Sequence, residues 1–234
     1  MNKIKISLIL NILIVIIVTL GTIFMFTGFT FMRSELLLES NGYSMFRFYT
    51  VDSNILIGIA SLILLIFELK LLNHKIDNIP LGVSIFKYLS TSGITLTFLV
   101  TLLFLSPQYG FYAMYNNTNL LFHLIVPLLS IISYIFFEKH DNKYKYAFYG
   151  IIPMFIYSIF YILNIITHIN DGGLTFKYDF YGFLRGNLSN IYIVIPIIYF
   201  VTYFISLTLL FFNRKVNKGW EVQFIIELGV WLES

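Results

Sequence analysis

The sequence predicts an all-α integral membrane protein, a bundle of six transmembrane helices. Three observations carry that expectation. Hydrophobic residues make up 58% of the 234-residue chain and charged residues only 12%, a balance outside that of soluble domains. Apolar runs near the roughly 20 residues needed to cross a bilayer recur along the whole chain. Between them lie short segments where Gly, Pro, Asn and charge gather, leaving no room for a sizeable soluble domain.

The first run, residues 6–26, follows Asn2-Lys3-Ile4-Lys5 and exceeds the roughly 7–15 residues of a signal-peptide core. No small-x-small cleavage pattern follows it, so it reads as a retained helix. The second, 46–72, opens on Arg47, Thr50, Asp52, Ser53 and Asn54 before turning apolar. The third, 84–105, carries Thr91 and Thr95, then Thr97 and Thr101, each pair on one face around Gly93, a pattern of close helix packing. The fourth, 120–137, is led in by Asn116-Asn117-Thr118-Asn119 and contains His123 and Pro127. The fifth, 146–167, carries Tyr149 before Pro153 and Tyr157, Tyr161 and Asn164 after it, and the sixth covers 190–212. These spans form one domain over residues 1–218. In the tail, 219–234, Trp220, Phe224, Leu228 and Trp231 form an apolar stripe, which predicts a short amphipathic or disordered appendage rather than a seventh span.

Basic residues orient the bundle. With the N-terminus inside, eleven Lys and Arg fall on the cytoplasmic side, Lys87 among them, against four outside. Both termini are then expected in the cytoplasm. The second and fourth helices both begin at the outer surface, with Thr50 and His123 roughly 5–6 Å below it at 1.5 Å per residue.

Polar groups entering hydrocarbon need partners, since an uncompensated amide or hydroxyl costs roughly 2–7 kcal/mol. Arg47, Thr50 and Asn54 are spaced to share a helical face, with Ser53 beside them and Asp52 pointing elsewhere. The plain account is that they fix helix packing. Of the histidines, His74 and His140 fall in charged loops and read as solvated, and His168 ends the fifth helix. Only His123 is embedded among apolar residues, where an ionisable group marks a functional candidate unless it merely packs.

A hydroxyl beside an imidazole is the minimum for nucleophilic acyl transfer, and Thr50 with His123 supplies it. Asn54 or Arg47 is placed to face the developing negative charge. The outer loop 168–189 carries Asp171, Asp179 and Arg185 among aromatic residues, a composition suited to a lid, with Asp179 available to orient His123. Without cysteine there is no thiolate nucleophile or cysteine metal site. No acidic or histidine pair has ligand spacing, so neither a metal nor a cofactor is expected. No soluble-hydrolase, phosphate-loop or dinucleotide signature is present.

The run Phe48-Tyr49-Thr50-Val51-Asp52-Ser53-Asn54, with His123-Leu124-Ile125-Val126-Pro127 in the fourth helix, resembles the paired signatures of the androgen-induced family of intramembrane threonine hydrolases. It is closer still to that family's bacterial six-helix relatives. The segment Tyr178-Asp179-Phe180-Tyr181-Gly182-Phe183 is similar to their acidic and aromatic outer loop, and Tyr157 and Tyr161 after Pro153 fit their fifth helix. The resemblance implies Thr50 as nucleophile and His123 as its partner in cleaving fatty-acyl esters, and a bacterial plasma membrane as the setting.

Two functions follow. One is a lipid-ester hydrolase or acyltransferase with a closed apolar pocket, in which Arg47, Ser53, Asn54, Tyr157, Tyr161, Asn164 and Asp179 surround the catalytic pair. The other is a non-enzymatic transporter or scaffold using the same groups. The expected partners are a lipid or fatty-acyl substrate and the bilayer, not nucleic acid; nothing in the chain dictates an oligomeric state. Because the inner halves of the second and fourth helices read as apolar, the sequence favours a site open to one side only.

Overall fold

Hydrocarbon offers backbone N–H and C=O groups no partners, so each crossing must close its own hydrogen bonds as a helix. A computed structural model describes residues 3–32, 41–140 and 143–232, with side chains as far as Lys218. Six helices are long and apolar enough to cross a membrane: α1 (Lys3–Thr27), α2 (Tyr49–Leu72), α3 (Leu81–Tyr109), α4 (Thr118–Phe137), α5 (Tyr144–Thr167) and α6 (Leu188–Lys218). The described residues include no β-strand. The chain is thus an all-α, multi-pass membrane bundle.

Most helix ends lie within a turn of the sequence expectation, and two differences matter. A 3-10 turn, Gly42–Arg47, precedes α2, and Phe48 between them is extended (φ −94°, ψ 127°). Arg47 is therefore not on the helix and does not share the face of Thr50 and Asn54. At the other extreme, the helical backbone of α6 continues unbroken to Leu232, so no break separates the sixth span from the tail. The stripe Trp220, Phe224, Leu228 and Trp231 lies outside the described side chains.

α3 is the hub. In its most apolar window 61% of residues are buried, against 22% in α1. It packs against α2, α4, α5 and α6, while α1 leans on α2 and α4. The hydroxyl row allows this: Thr91 and Thr95 donate to carbonyls one turn back, Thr97 shares a hydrogen bond with Ser53 of α2 (2.8 Å), and Ser92 shares one with Ser206 of α6 (2.6 Å). Gly150 explains how closely α5 approaches, because a Cβ there would collide with Ser206 Oγ.

Two turns of this scaffold widen to π geometry just before a proline. In α3 the turn Thr101–Leu105 precedes Pro107, and in α4 Leu121–Ile125 precedes Pro127. Proline has no N–H for the carbonyl four residues back, so the helix relaxes by bonding one residue further, as Val126 N–H does to Leu121 O. His123 sits inside the second of these turns. The start of α1 meets α6 where Lys3 Nζ donates to Asn217 Oδ1 (3.2 Å). That end of the bundle is called the terminal end below, and the opposite one the far end.

Candidate functional site

At the far end the polar lead-ins of α2 and α4 converge through one side chain. Asn54 is fully buried, and its Nδ2 donates to Thr50 O (2.7 Å) and to Phe122 O of α4 (3.1 Å). A buried amide hydrogen-bonded to both helices fixes their separation here. Beside it His123, 7% exposed, donates from Nδ1 to Met114 O (2.8 Å) in the short helix Phe111–Met114. In the neutral ring that bond leaves the lone pair on Nε2. Ser53 donates to Thr50 O (3.1 Å). Among the described residues, the Thr50 hydroxyl and His123 Nε2 make no hydrogen bond, to each other or to any other group.

Three expected roles change. Both hydrogens of the Asn54 amide are committed to carbonyls, so it has none left for a negative charge; its Oδ1 is the buried atom without a partner. Arg47, displaced by the break at Phe48, stacks over Phe48 (4.8 Å) and Phe180 (5.5 Å) instead of facing Thr50's side of α2. Asp179 does not orient His123. It accepts from the Tyr161 hydroxyl and from the backbone N–H groups of Phe183 and Leu184 (3.0 Å each), holding the α5–α6 loop together. His168 donates to Asn164 O (2.8 Å) and stacks on Tyr178, so it too belongs to that loop. The asparagine lead-in of α4 is also partly structural, since Asn117 Oδ1 accepts from Phe31 and Met32 N–H (2.8 and 2.6 Å).

A cavity of about 760 Å³ opens at the far end between α2, α5 and the α5–α6 loop. Arg47, Ser53, Tyr157, Tyr161 and Asn164 line it, whereas Thr50, Asn54 and His123 do not. Tyr49 and Asp52, not among the expected site residues, also line it; Asp52 points away from Thr50 and Asn54, as its spacing implies, and into this space. The loop is latched to α2 by Tyr49 N–H donating to Tyr181 Oη (2.9 Å), and α5 is tied to the turn before α2 by Tyr157 Oη donating to Arg47 O (2.7 Å). Burial pushes the Tyr181 phenol up to about 12, so it remains protonated.

The terminal end holds a second polar centre that the sequence reading missed. Lys87 is fully buried and donates to Asn11 Oδ1 and Ser61 Oγ (2.7 Å each), with Glu138 Oε1 at 3.5 Å. Glu138 also accepts from Ser133 (2.7 Å) and from His140 Nε2 (2.8 Å), while Glu68 accepts from Ser7 and from Asn11 (3.5 Å). Burial alone would raise the Glu138 carboxyl, but Lys87, His140 and Ser133 together hold it below the ordinary glutamate value. His140, expected to be solvated, is buried and stacked on Tyr134, and the inner half of α2 is not apolar throughout. A cavity of about 890 Å³ adjoins Glu68, Glu138 and His140. Among the described residues no three His, Cys, Asp or Glu side chains are grouped to hold a metal ion. The available signal was Lys87 and Glu68, each ionisable and set a turn or more inside an apolar run.

No family model matches the chain, and neither curated proteins nor solved structures give a match.

Proposed function

We propose that the far end is the site of a membrane-embedded lipid-ester hydrolase or acyltransferase, with Thr50 as nucleophile and His123 as base. The observation that carries it is the pinning of α2 to α4 through Asn54, beside an imidazole anchored at Nδ1 with Nε2 uncommitted, in the same layer as an uncommitted threonine hydroxyl. In the step proposed, Thr50 Oγ1 bonds to the acyl carbon as its proton passes to His123 Nε2. The imidazolium then protonates the departing alcohol oxygen, and water releases the acid. The hydroxyl–imidazole contact closes when the ester is bound, as catalytic hydrogen bonds that are open in empty sites do. Asn54 acts as a positioning residue. The resemblance of the two signatures to threonine hydrolases supports the same assignment and a bacterial plasma membrane as the setting, and the basic-residue bias favours the outer face for this end.

The test is labelling with a fluorophosphonate probe. Thr50→Ala and His123→Ala are each expected to lower labelling by about 10²-fold or more, with the adduct of the unmodified protein mapping to residue 50. Labelling that persists in both variants overturns the assignment.

A second reading, a small transporter, is favoured by one observation. Buried polar groups and a cavity occur at both ends of the bundle, with the hydroxyl row of α3 between them. Flux of a solute across proteoliposomes that survives Thr50→Ala selects it.

A further inference from the structure

The far-end cavity has a charge arrangement that the proposed reaction does not use. Asp52 is its sole carboxylate, and among the described residues that carboxylate has neither an ion pair nor a hydrogen bond. The same cavity is lined by the rings of Tyr49, Tyr157, Tyr161 and Phe160. An unpaired carboxylate on an apolar wall is costly unless a cation visits it. Ring faces beside a carboxylate form a site for an ammonium group, which gains from the ring quadrupoles as well as from the negative charge.

Two cations lie on the lining as well. Arg47 is held by ring stacking alone, and Lys177 Nζ lies over Tyr178 (4.8 Å), so neither is paired with Asp52. Arg47, with no anion paired to it among the described residues, is suited to phosphate oxygens, and Lys177, held by Tyr178 with Asp171 acting on it at longer range, adds a second cation at the rim. Leu56, Ile156 and Phe160 complete the wall with apolar surface, and Phe160 is 67% exposed toward the bilayer side of α5.

From this we infer that the cavity binds the headgroup of a zwitterionic, ammonium-bearing phospholipid. Asp52 and the tyrosine rings take the ammonium, Arg47 and Lys177 take the phosphate, and the acyl chains leave along Phe160 into the bilayer. The inference concerns binding and does not rest on reaction at Thr50.

Native mass spectrometry of the full chain in detergent, with equal amounts of phosphatidylethanolamine and phosphatidylglycerol, tests it. The protein is expected to prefer phosphatidylethanolamine by about tenfold, the scale of one cation–π and carboxylate contact. Asp52→Asn brings the preference close to unity, Asp52→Glu keeps it, and Arg47→Gln weakens both lipids together. Equal occupancy by the two lipids, or a preference that survives Asp52→Asn, overturns the inference. Its outcome is independent of probe labelling at Thr50.

Discussion

The two ends of the bundle handle charge in opposite ways. At the terminal end the fully buried charges are answered: Lys87 is shared among Asn11, Ser61 and Glu138, and Glu138 is shared with Ser133 and His140. At the far end Asp52 and Arg47 lie along one cavity without pairing. A completed buried network stabilises one packing, whereas charges left open beside a cavity keep interaction energy for a ligand. Substitutions at the terminal end should therefore change stability, and those at the far end should change binding.

The largest effect is expected at Lys87. Lys87→Met leaves Glu138 buried without its cation, a loss of about 3–5 kcal/mol, read as a lower unfolding temperature in detergent. Adding Glu138→Gln should restore much of it; an unchanged melt for the single variant would break the contrast. The same network sets a sign for pH. Because the Glu138 carboxyl is held below its ordinary value, its contribution is fully present above the unfolded value of about 4.3. It is lost as pH falls through the depressed folded value, so thermal stability should drop on acidification and Glu138→Gln should flatten that drop.

Asp179→Asn comes next. It weakens charge-assisted bonds from Tyr161, Phe183 and Leu184, worth about 1.5–3 kcal/mol. Limited proteolysis should then cut the α5–α6 loop sooner, with a smaller fall in melting temperature than at Lys87. The smallest effect on stability belongs to Asp52→Asn, within about 0.5 kcal/mol, because no protein group loses a partner. A melt that falls as far as that of Lys87→Met would show that Asp52 is structural after all, and the contrast between the ends would fail.

The six spans were legible because hydrocarbon thickness writes its length directly into apolar runs. The meeting of α2 and α4 at the far end was also visible in part, since polar residues interrupt both apolar runs near their starts and Asn54 bonds Phe122 O. The role of each group was less visible. Asn54 looks like a donor for substrate until Phe122 O is seen to take its hydrogen, and Asp179 looks like a partner for His123 until Tyr161 and two backbone amides claim it. The terminal network was hidden for a related reason. Asn11, Ser61, Lys87 and Glu138 come from four stretches of chain, and helical periodicity reports a residue's face but not which helix lies opposite. Lys87 near a span end therefore read as one more cytoplasmic charge.

The widened turn at Leu121–Ile125 has one more consequence. A π turn holds one residue more than a regular turn, so it rotates the part of α4 before it by about 100° relative to the part after it. His123 owes its bearing toward Met114 O to that surplus residue as much as to the hydrogen bond itself. Removing a single residue from this turn would regularise the helix and swing the imidazole away from Met114 O, with its own chemistry untouched.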